Sequence, residues 1–170
     1  MKRRIVALVA MLGFVLAACQ MPVQLTTVVD VAAGDENFST LVTAVGEAGL
    51  VETLEGEGPF TVFAPTNAAF EQALIDLGIT VDELLASPDL GAILTYHVVA
   101  GKLMAADVVA AINAGGGAAT VDTVNGAAIT VELVGGDVVI NGTATVIQTD
   151  LEADNGVVHV IDAVLLPPAN

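Results

Sequence analysis

Residues Asn155–Leu166 read NGVVHVIDAVLL, and this stretch decides the fold. From Gly156 onward, both alternating sets of side chains are apolar except at His159 and Asp162. One set is Val157, Ile161, Ala163 and Leu165, and the other is Val158, Val160, Val164 and Leu166. A strand with one face in water alternates apolar and polar residues, whereas a strand covered on both faces is apolar throughout. We therefore predict a strand in the middle of the fold, with the rest of the chain packed around it.

His159 and Asp162 are the polar interruptions of this strand. Each needs a hydrogen-bond partner, because an unpaired buried polar group costs roughly 1–3 kcal/mol. The two residues lie on opposite faces of a strand, so they do not pair with each other. We expect each to bind backbone groups of loops or helices. We also expect Gly156, directly after Asn155, to supply a positive φ at the start of the strand.

The length and composition indicate one globular domain. The chain has 170 residues, enough to bury a sizeable core. Hydrophobic residues make up 55 % of it, dispersed as alanine and valine rather than collected into long spans. There is one cysteine and no tryptophan, so no internal disulfide framework is expected.

The first 18 residues have the order of a secretory signal. Lys2, Arg3 and Arg4 form a basic start, and residues 5–18 are an apolar run too short to cross a bilayer comfortably. The run leads into Leu16–Cys19, LAAC, which resembles the lipobox of bacterial lipoproteins. We therefore predict a signal peptide with a lipobox at residues 1–18, and an exported protein of the cell envelope.

Cys19 is the predicted lipid attachment site. A lipobox implies cleavage before this cysteine and acyl chains on its sulfur and new amino terminus. Several acyl chains make a stable anchor, which a single chain does not. Residues 19–24 are then a lipidated tether reaching roughly 20 Å, followed by a domain at residues 25–168 that faces the periplasm or the cell exterior. The alternative is an ordinary signal peptide with an incidental cysteine.

The charge of the mature chain is strongly negative. Cleavage after residue 18 removes three of the four basic residues and none of the twenty acidic ones, leaving Lys102 and a formal charge of −19. This excludes nucleic acid as a natural partner, because phosphate binding needs clustered lysine and arginine. It also disfavours a domain lying flat on an anionic membrane.

Helices are predicted before most of the strands. Apolar residues recur at helical spacing in segments 25–32, 38–45, 70–77, 81–86, 90–97 and 108–112. Asn37 is the expected cap of the second helix, and Glu52–Gly58 is expected to be an acidic turn. Strands are predicted at 59–64, 129–134, 138–141 and 143–148, with a hairpin turn at Gly135–Gly136.

Three motifs, in this order along the chain, resemble the fasciclin domain family. Residues 60–70, FTVFAPTNAAF, are similar to its first signature block, and residues 155–165 are similar to its second block. Tyr96–His97 stands where the family has a Tyr-His pair, and the resemblance extends over about residues 26–167. It implies an α+β fold, a wedge of two small β-sheets with the N-terminal helices packed along one side. It also implies a cell-surface or secreted module for adhesion and for binding matrix or other partners.

We interpret most motif residues as architectural. These residues are Phe63, Pro65, Thr66, Asn67, Phe70, Asn155, Gly156, His159 and Asp162. Pro65 stops a core strand, and Thr66 and Asn67 are capping residues for the helix that carries Phe70 inward.

Tyr96–His97 has two interpretations. In animal members of the family this region is implicated in receptor binding, so the resemblance makes Tyr96 and His97 candidate partner-binding residues. The residues themselves favour a buried, hydrogen-bonded pair, because His97 lies at helical spacing from Leu90, Ile93 and Leu94.

Metal and catalytic motifs are weak. Asp150, Glu152 and Asp154 alternate like the start of a calcium loop, but an EF-hand needs glycine where Asn155 stands and glutamate where Ile161 stands. His97 and His159 lack zinc-ligand spacing, and no serine lies in a nucleophile motif. We predict no metal, no cofactor and no catalytic residues.

Two classes of function follow. The favoured one is a non-enzymatic, lipid-anchored surface or periplasmic module that binds a protein or glycan. The alternative is an envelope enzyme or small-ligand carrier whose site is built from scattered carboxylates, since enzymes need polar groups that converge in a pocket.

Replacing the predicted lipid attachment residue tests the anchor. Cys19→Ala should abolish incorporation of labelled fatty acid, because it removes the thiol that would carry the lipid. Metabolic labelling of cells that produce each protein measures this, and continued labelling of the variant would refute the anchor.

Overall fold

The computed structural model describes residues 26–168. In chain order its elements are α1 Val28–Ala33, a 3₁₀ turn at Glu36–Phe38, α2 Ser39–Glu47, α3 Val51–Leu54, β1 Phe60–Pro65, α4 Asn67–Leu77, α5 Val81–Leu85, α6 Leu90–Tyr96, β2 Val98–Ala100, α7 Ala105–Ala114, β3 Ala118–Asp122, β4 Ala128–Val134, β5 Asp137–Ile140, β6 Ala144–Ala153 and β7 Gly156–Ile161. The predicted α+β class is confirmed.

The strands form one hydrogen-bonded series in the order β2-β1-β7-β6-β5-β4-β3. β1 and β7 are parallel, from Phe60 opposite Gly156 to Pro65 opposite Ile161, and the other neighbours are antiparallel. β6 belongs to both halves of the series, because its first two residues pair with β5 and the rest pairs with β7. The two sheets of the expected wedge are therefore joined through this strand.

The two ends of the series meet. A β-bridge joins Val99 of β2 to Thr123 just after β3, and the amide of Val124 donates to the carbonyl of Val98 at 2.8 Å. Unpaired edge strands invite pairing with other chains. This contact covers part of both edges and curls the sheet around an interior.

β7 is covered on both faces, as its sequence predicts, and all six of its residues are buried. On one face, Val158 and Val160 join a core shared with α1, α2, α4 and α6. On the other face, Ile161 joins a second core with Phe63, α7, β4 and β5. The N-terminal helices therefore lie along one side of the central pair of strands, and the curled sheet lies on the other.

The central strand is shorter than predicted. It ends at Ile161 rather than at Leu166, whose side chain is 45 % exposed. The reason lies in its parallel neighbour, where Pro65 makes the last pair. Proline has no N–H with which to extend a ladder of hydrogen bonds.

Two predictions for the segment before β1 are wrong. Asn37 does not cap α2, because Asp35 begins a separate 3₁₀ turn by accepting the Asn37 amide at 2.9 Å. Part of the expected acidic turn at Glu52–Gly58 is helical, since α3 extends to Leu54. The hairpin at Gly135–Gly136 is as predicted, with Val134 opposite Asp137.

Gly156 is needed for close approach and not for a positive φ. Its φ lies outside the left-handed region, so the expected reason was wrong. A Cβ at this position would overlap the carbonyl oxygen of Phe60 on the neighbouring strand. Both groups are backbone and cannot rotate apart, so the parallel pair requires a residue with no side chain here.

Gly156→Ala should lower the free energy of unfolding by about 2–3 kcal/mol, because β1 and β7 must move apart. Gly46→Ala in the exposed part of α2 is the matched control, since nothing lies within 4 Å of its added Cβ. The control should be neutral or stabilising by about 0.5–1 kcal/mol. Equilibrium urea unfolding measures both, and equal effects of the two substitutions would contradict the steric argument.

Candidate functional site

Asn155 joins three elements to the start of β7. Its Nδ2 donates to the carbonyls of Leu54 at 2.6 Å and Gly56 at 3.0 Å. Its Oδ1 accepts the amide of Val28 at 2.9 Å, and its own carbonyl accepts the amide of Phe60 at 3.0 Å. This motif residue therefore holds the ends of α1, α3 and β1 together.

Thr66 and Asn67 start two different helices. Thr66 caps α4, with its hydroxyl accepting the Ala69 amide at 3.3 Å. Asn67 does not cap this helix, contrary to prediction. Its Oδ1 accepts the Thr40 amide of α2 at 3.1 Å, and its Nδ2 donates to the Glu36 carbonyl at 2.9 Å. α2 has no cap from its own sequence, so α4 supplies one.

His159 lies in the interior with two backbone partners. Its Nδ1 accepts the amide of Asp150 at 3.3 Å, and its Nε2 donates to the carbonyl of Leu103 at 2.8 Å. The ring stacks on Phe63, with centroids 5.8 Å apart and planes at 29°. Both nitrogens and one face of the ring are thus used inside the protein.

Asp162 binds a different part of the chain. Its Oδ1 accepts the amide of Thr145 at 2.7 Å, at the point where β6 begins. Asp162 lies after the end of β7 and is exposed, so its predicted place inside the central strand is wrong. The expected backbone partners are present for both His159 and Asp162.

Tyr96 lies inside the curled sheet, with 2 % of its surface exposed. Its hydroxyl accepts from Nδ2 of Asn141 at 3.0 Å and donates to the carbonyl of Ala128 at 3.4 Å. The tyrosine thereby ties the end of α6 to β4 and to the turn after β5.

His97 is also 2 % exposed and ends α6. Its Nδ1 donates to the carbonyl of Ile93 at 2.8 Å, and its Nε2 accepts the amide of Leu165 at 2.8 Å. Burial lowers the pKa of His97 to about 4, because the charged ring would lose its hydration. A partner that docks on the folded surface therefore meets neither Tyr96 nor His97. Of the two interpretations of Tyr96 and His97, the structure agrees with the buried, hydrogen-bonded pair.

Two residues with structural roles escaped the sequence reasoning. Thr61 is fully buried, and its hydroxyl donates to the Gly101 carbonyl at 2.6 Å and accepts the Leu103 amide at 2.9 Å. Asn141 has a φ of 53°, and its Oδ1 accepts the Thr130 amide at 2.9 Å. The Asn-Gly pair at 141–142 is a turn signal that predicts the role of Asn141. No pattern in the residues around Thr61 predicts its buried hydrogen bonds.

The three acidic residues that resemble a calcium loop do not share a ligand position. Asp150 and Glu152 lie on β6, which is longer than predicted, and Asp154 follows its end. Their oxygens contact, in turn, the amide of Ala105 at 2.9 Å, the ammonium of Lys102 at 3.9 Å and the amide of Thr26 at 2.7 Å. Within residues 26–168, no three His, Cys, Asp or Glu side chains come together as a metal site.

An open acidic groove lies near the first residues described. It has a volume of about 490 Å³ and is lined by Glu55, Glu57 and Asp154 beside Thr27 and Asn155. All three carboxylates are exposed to solvent. Catalytic carboxylates are usually tuned by burial, which these lack.

The predicted signal peptide, Cys19 and the tether lie outside the described residues. Among residues 26–168, no helix has the length and apolarity needed to cross a membrane.

Together, the fold and its buried motif residues define an α+β scaffold whose signature side chains build the interior. The model of the fasciclin domain matches residues 36–167. This chain therefore belongs to the fasciclin domain family.

Relatives of known name agree with this assignment. Protein sll1483 of Synechocystis is 52 % identical over 145 residues, which are 84 % of this chain and 74 % of that protein. Cell surface glycolipoprotein MPB83 of Mycobacterium bovis is 35 % identical over 144 residues, which are 81 % of this chain and 59 % of that protein. The FAS1 domain pair of the insect cell adhesion molecule fasciclin I matches with a TM-score of 0.71 and 25 % identity, over 84 % of this chain and 51 % of that one.

The buried state of His97 predicts a pH dependence of stability. In the unfolded chain His97 is protonated below about pH 6.5, whereas in the folded chain it stays neutral down to about pH 4. The contribution of neutral His97 to the free energy of unfolding is therefore complete above pH 6.5 and falls by about 3 kcal/mol as the pH approaches 4.

Urea unfolding of the wild type and His97→Gln at several pH values measures this contribution. The carboxylates titrate in both proteins and largely cancel in the difference. The stability advantage of the wild type should shrink steadily between pH 6.5 and 4.5. A difference that does not depend on pH would contradict the assignment.

Proposed function

We propose that this chain is a lipid-anchored binding module of a bacterial cell envelope. It is exported, held to a membrane through Cys19, and presents a rigid fasciclin domain to a protein or glycan. It binds its partner without catalysis.

One observation carries the proposal. The side chains with the most versatile chemistry are inside the domain, and both histidines and the single tyrosine have partners within the chain. An enzyme needs such groups at a pocket that its substrate can enter. Here they fix the scaffold, which leaves recognition to the surface around it.

The anchor has two supports outside the folded domain. The sequence LAAC ends an apolar run of signal type, and Cys19 is the only cysteine in the chain. A relative, MPB83 of Mycobacterium bovis, is named a cell surface glycolipoprotein. An anchored domain on a tether of roughly 20 Å would stay close to its membrane.

The open acidic groove supports a second candidate, a carboxylate-based enzyme or small-ligand carrier. Glu55, Glu57 and Asp154 line one groove of about 490 Å³. The described residues near it offer no histidine or lysine as a second catalytic group. We therefore rank this candidate below the binding module.

Attachment assays separate the two candidates. A strain lacking the chain should attach less well to surfaces or to neighbouring cells, and the wild-type chain should restore attachment. Cys19→Ala should fail to restore it when the folded variant is recovered in the medium rather than with the cells, because a released module no longer connects its partner to the cell. Added soluble domain should compete with the anchored form.

The enzyme candidate makes the opposite prediction. A released enzyme still reaches its substrate, so Cys19→Ala would then restore the phenotype. Restoration by the released variant, or unchanged attachment on deletion, would overturn the proposed function.

A further inference from the structure

A second groove, distinct from the acidic one, lies between the end of α4, the first turn of α6 and the last residues described. We call it the C-terminal groove, and its volume is about 660 Å³. Ile79 and Ile93 contribute to its lining, with Leu77 and Leu166 beside them. This volume is within the range of pockets that hold small ligands or short peptide segments.

We infer that the C-terminal groove binds a short, extended peptide segment of a partner protein, with an apolar side chain next to lysine or arginine. This inference rests on the proposed function as a binding module and names the class of its partner.

The apolar part of the segment matches the groove lining. Leu77 and Leu166 are each 45 % exposed, although both are large aliphatic residues. Ile79 and Ile93 are half-buried next to them. An apolar side chain that enters here would cover four aliphatic residues that now contact water, which is favourable.

The basic part of the segment matches the charge around the groove. Asp89 lines it, and its carboxylate accepts no hydrogen bond from any described residue. The helices α4 and α5, which contribute Leu77 and Leu84 to the lining, carry no basic residue. Lys102, the one lysine or arginine between residues 26 and 168, lies within 3.9 Å of Glu152 on β6. Complementary charge speeds association and selects the register of a bound segment.

The groove also offers an acceptor for a peptide backbone. Nδ2 of Asn125 donates to the Ala92 carbonyl at 2.8 Å and approaches the Thr95 hydroxyl at 3.4 Å. Its Oδ1 has no partner among the described residues and can accept a backbone N–H.

One wall of the groove is held in place by the interior. Pro167 and Pro168 contribute to the lining, and Leu165 just before them is buried and bonded to His97 at 2.8 Å. A wall fixed before binding reduces the ordering that binding requires.

The lining favours a peptide over a glycan. Leucine, isoleucine, alanine and proline dominate it, and it contains no aromatic residue. Sugar rings commonly pack on aromatic side chains, whose flat apolar faces suit them.

The test selects a phage-displayed library of short random peptides against the full-length chain purified in detergent. The enriched peptides should combine an aliphatic residue with an adjacent lysine or arginine. Synthetic versions of these peptides then give dissociation constants for wild type and variants. No enrichment, or enrichment of acidic peptides, would overturn the inference.

Paired variants locate the site. Leu77→Ser with Leu166→Ser should weaken binding at least about tenfold, and Asp89→Lys should weaken it by a similar factor that shrinks in high salt. The matched controls are Ile75→Ser with Val134→Ser, at 72 % and 56 % exposure, and Asp137→Lys on β5, none of which lines the groove. Equal losses in variants and controls would place the site elsewhere. All changed side chains are exposed, so folding should survive, and unfolding curves check this.

Two outcomes separate this inference from the proposed function. If the wild-type chain restores attachment and the groove variants restore it equally well, the module stands and the C-terminal groove is not its site. A glycan that binds the wild type and competes with cell attachment, when no peptide is enriched, would likewise overturn the peptide partner alone.

Discussion

The parallel contact between β1 and β7 is the constraint on which the rest of the structure depends. At Gly156 the two backbones approach so closely that a side chain on residue 156 would overlap the carbonyl of Phe60. This contact sets the register of six residue pairs, from Phe60 to Pro65. Because β7 is buried on both faces, that register also fixes which side chains enter each of the two cores. A slip of one residue would exchange the two faces.

Polar motif residues complete this constraint by connecting distant elements. Asn155 binds groups of α1, α3 and β1, and Asn67 caps α2 from the start of α4. Both histidines use Nδ1 and Nε2 on backbone groups. Among the described residues, every buried side-chain nitrogen or oxygen has a hydrogen-bond partner. The polar motif residues of this chain thus connect elements that pack around its interior.

Sequence reasoning succeeded where the cause of a structure is local. Apolar residues on both alternating faces predicted the doubly covered strand, and Gly135–Gly136 predicted the hairpin, because both signals depend on adjacent residues. It failed for Asn67, whose partner Thr40 is 27 residues away, and for Gly156, whose constraint comes from Phe60. The contacts of Asn67 and Gly156 form only once the elements have packed, so no local pattern predicts them. The buried position of Tyr96 and His97 was one of two interpretations, and the helical spacing of His97 favoured it.

The carboxylates of this acidic chain are stabilised mainly by partners other than basic side chains. Lys102 is the one lysine or arginine among residues 26–168, so ion pairs with basic side chains cannot balance the twenty carboxylates. Seven of the carboxylates accept hydrogen bonds from backbone amides: Asp30, Asp35, Glu83, Asp107, Asp150, Asp154 and Asp162. Four of these bonds lie at the N-termini of α1, α5 and α7, where the helix dipole favours negative charge. The pKa values of Asp30 and Glu83 are lowered accordingly by the amides and hydroxyls of their capping threonines.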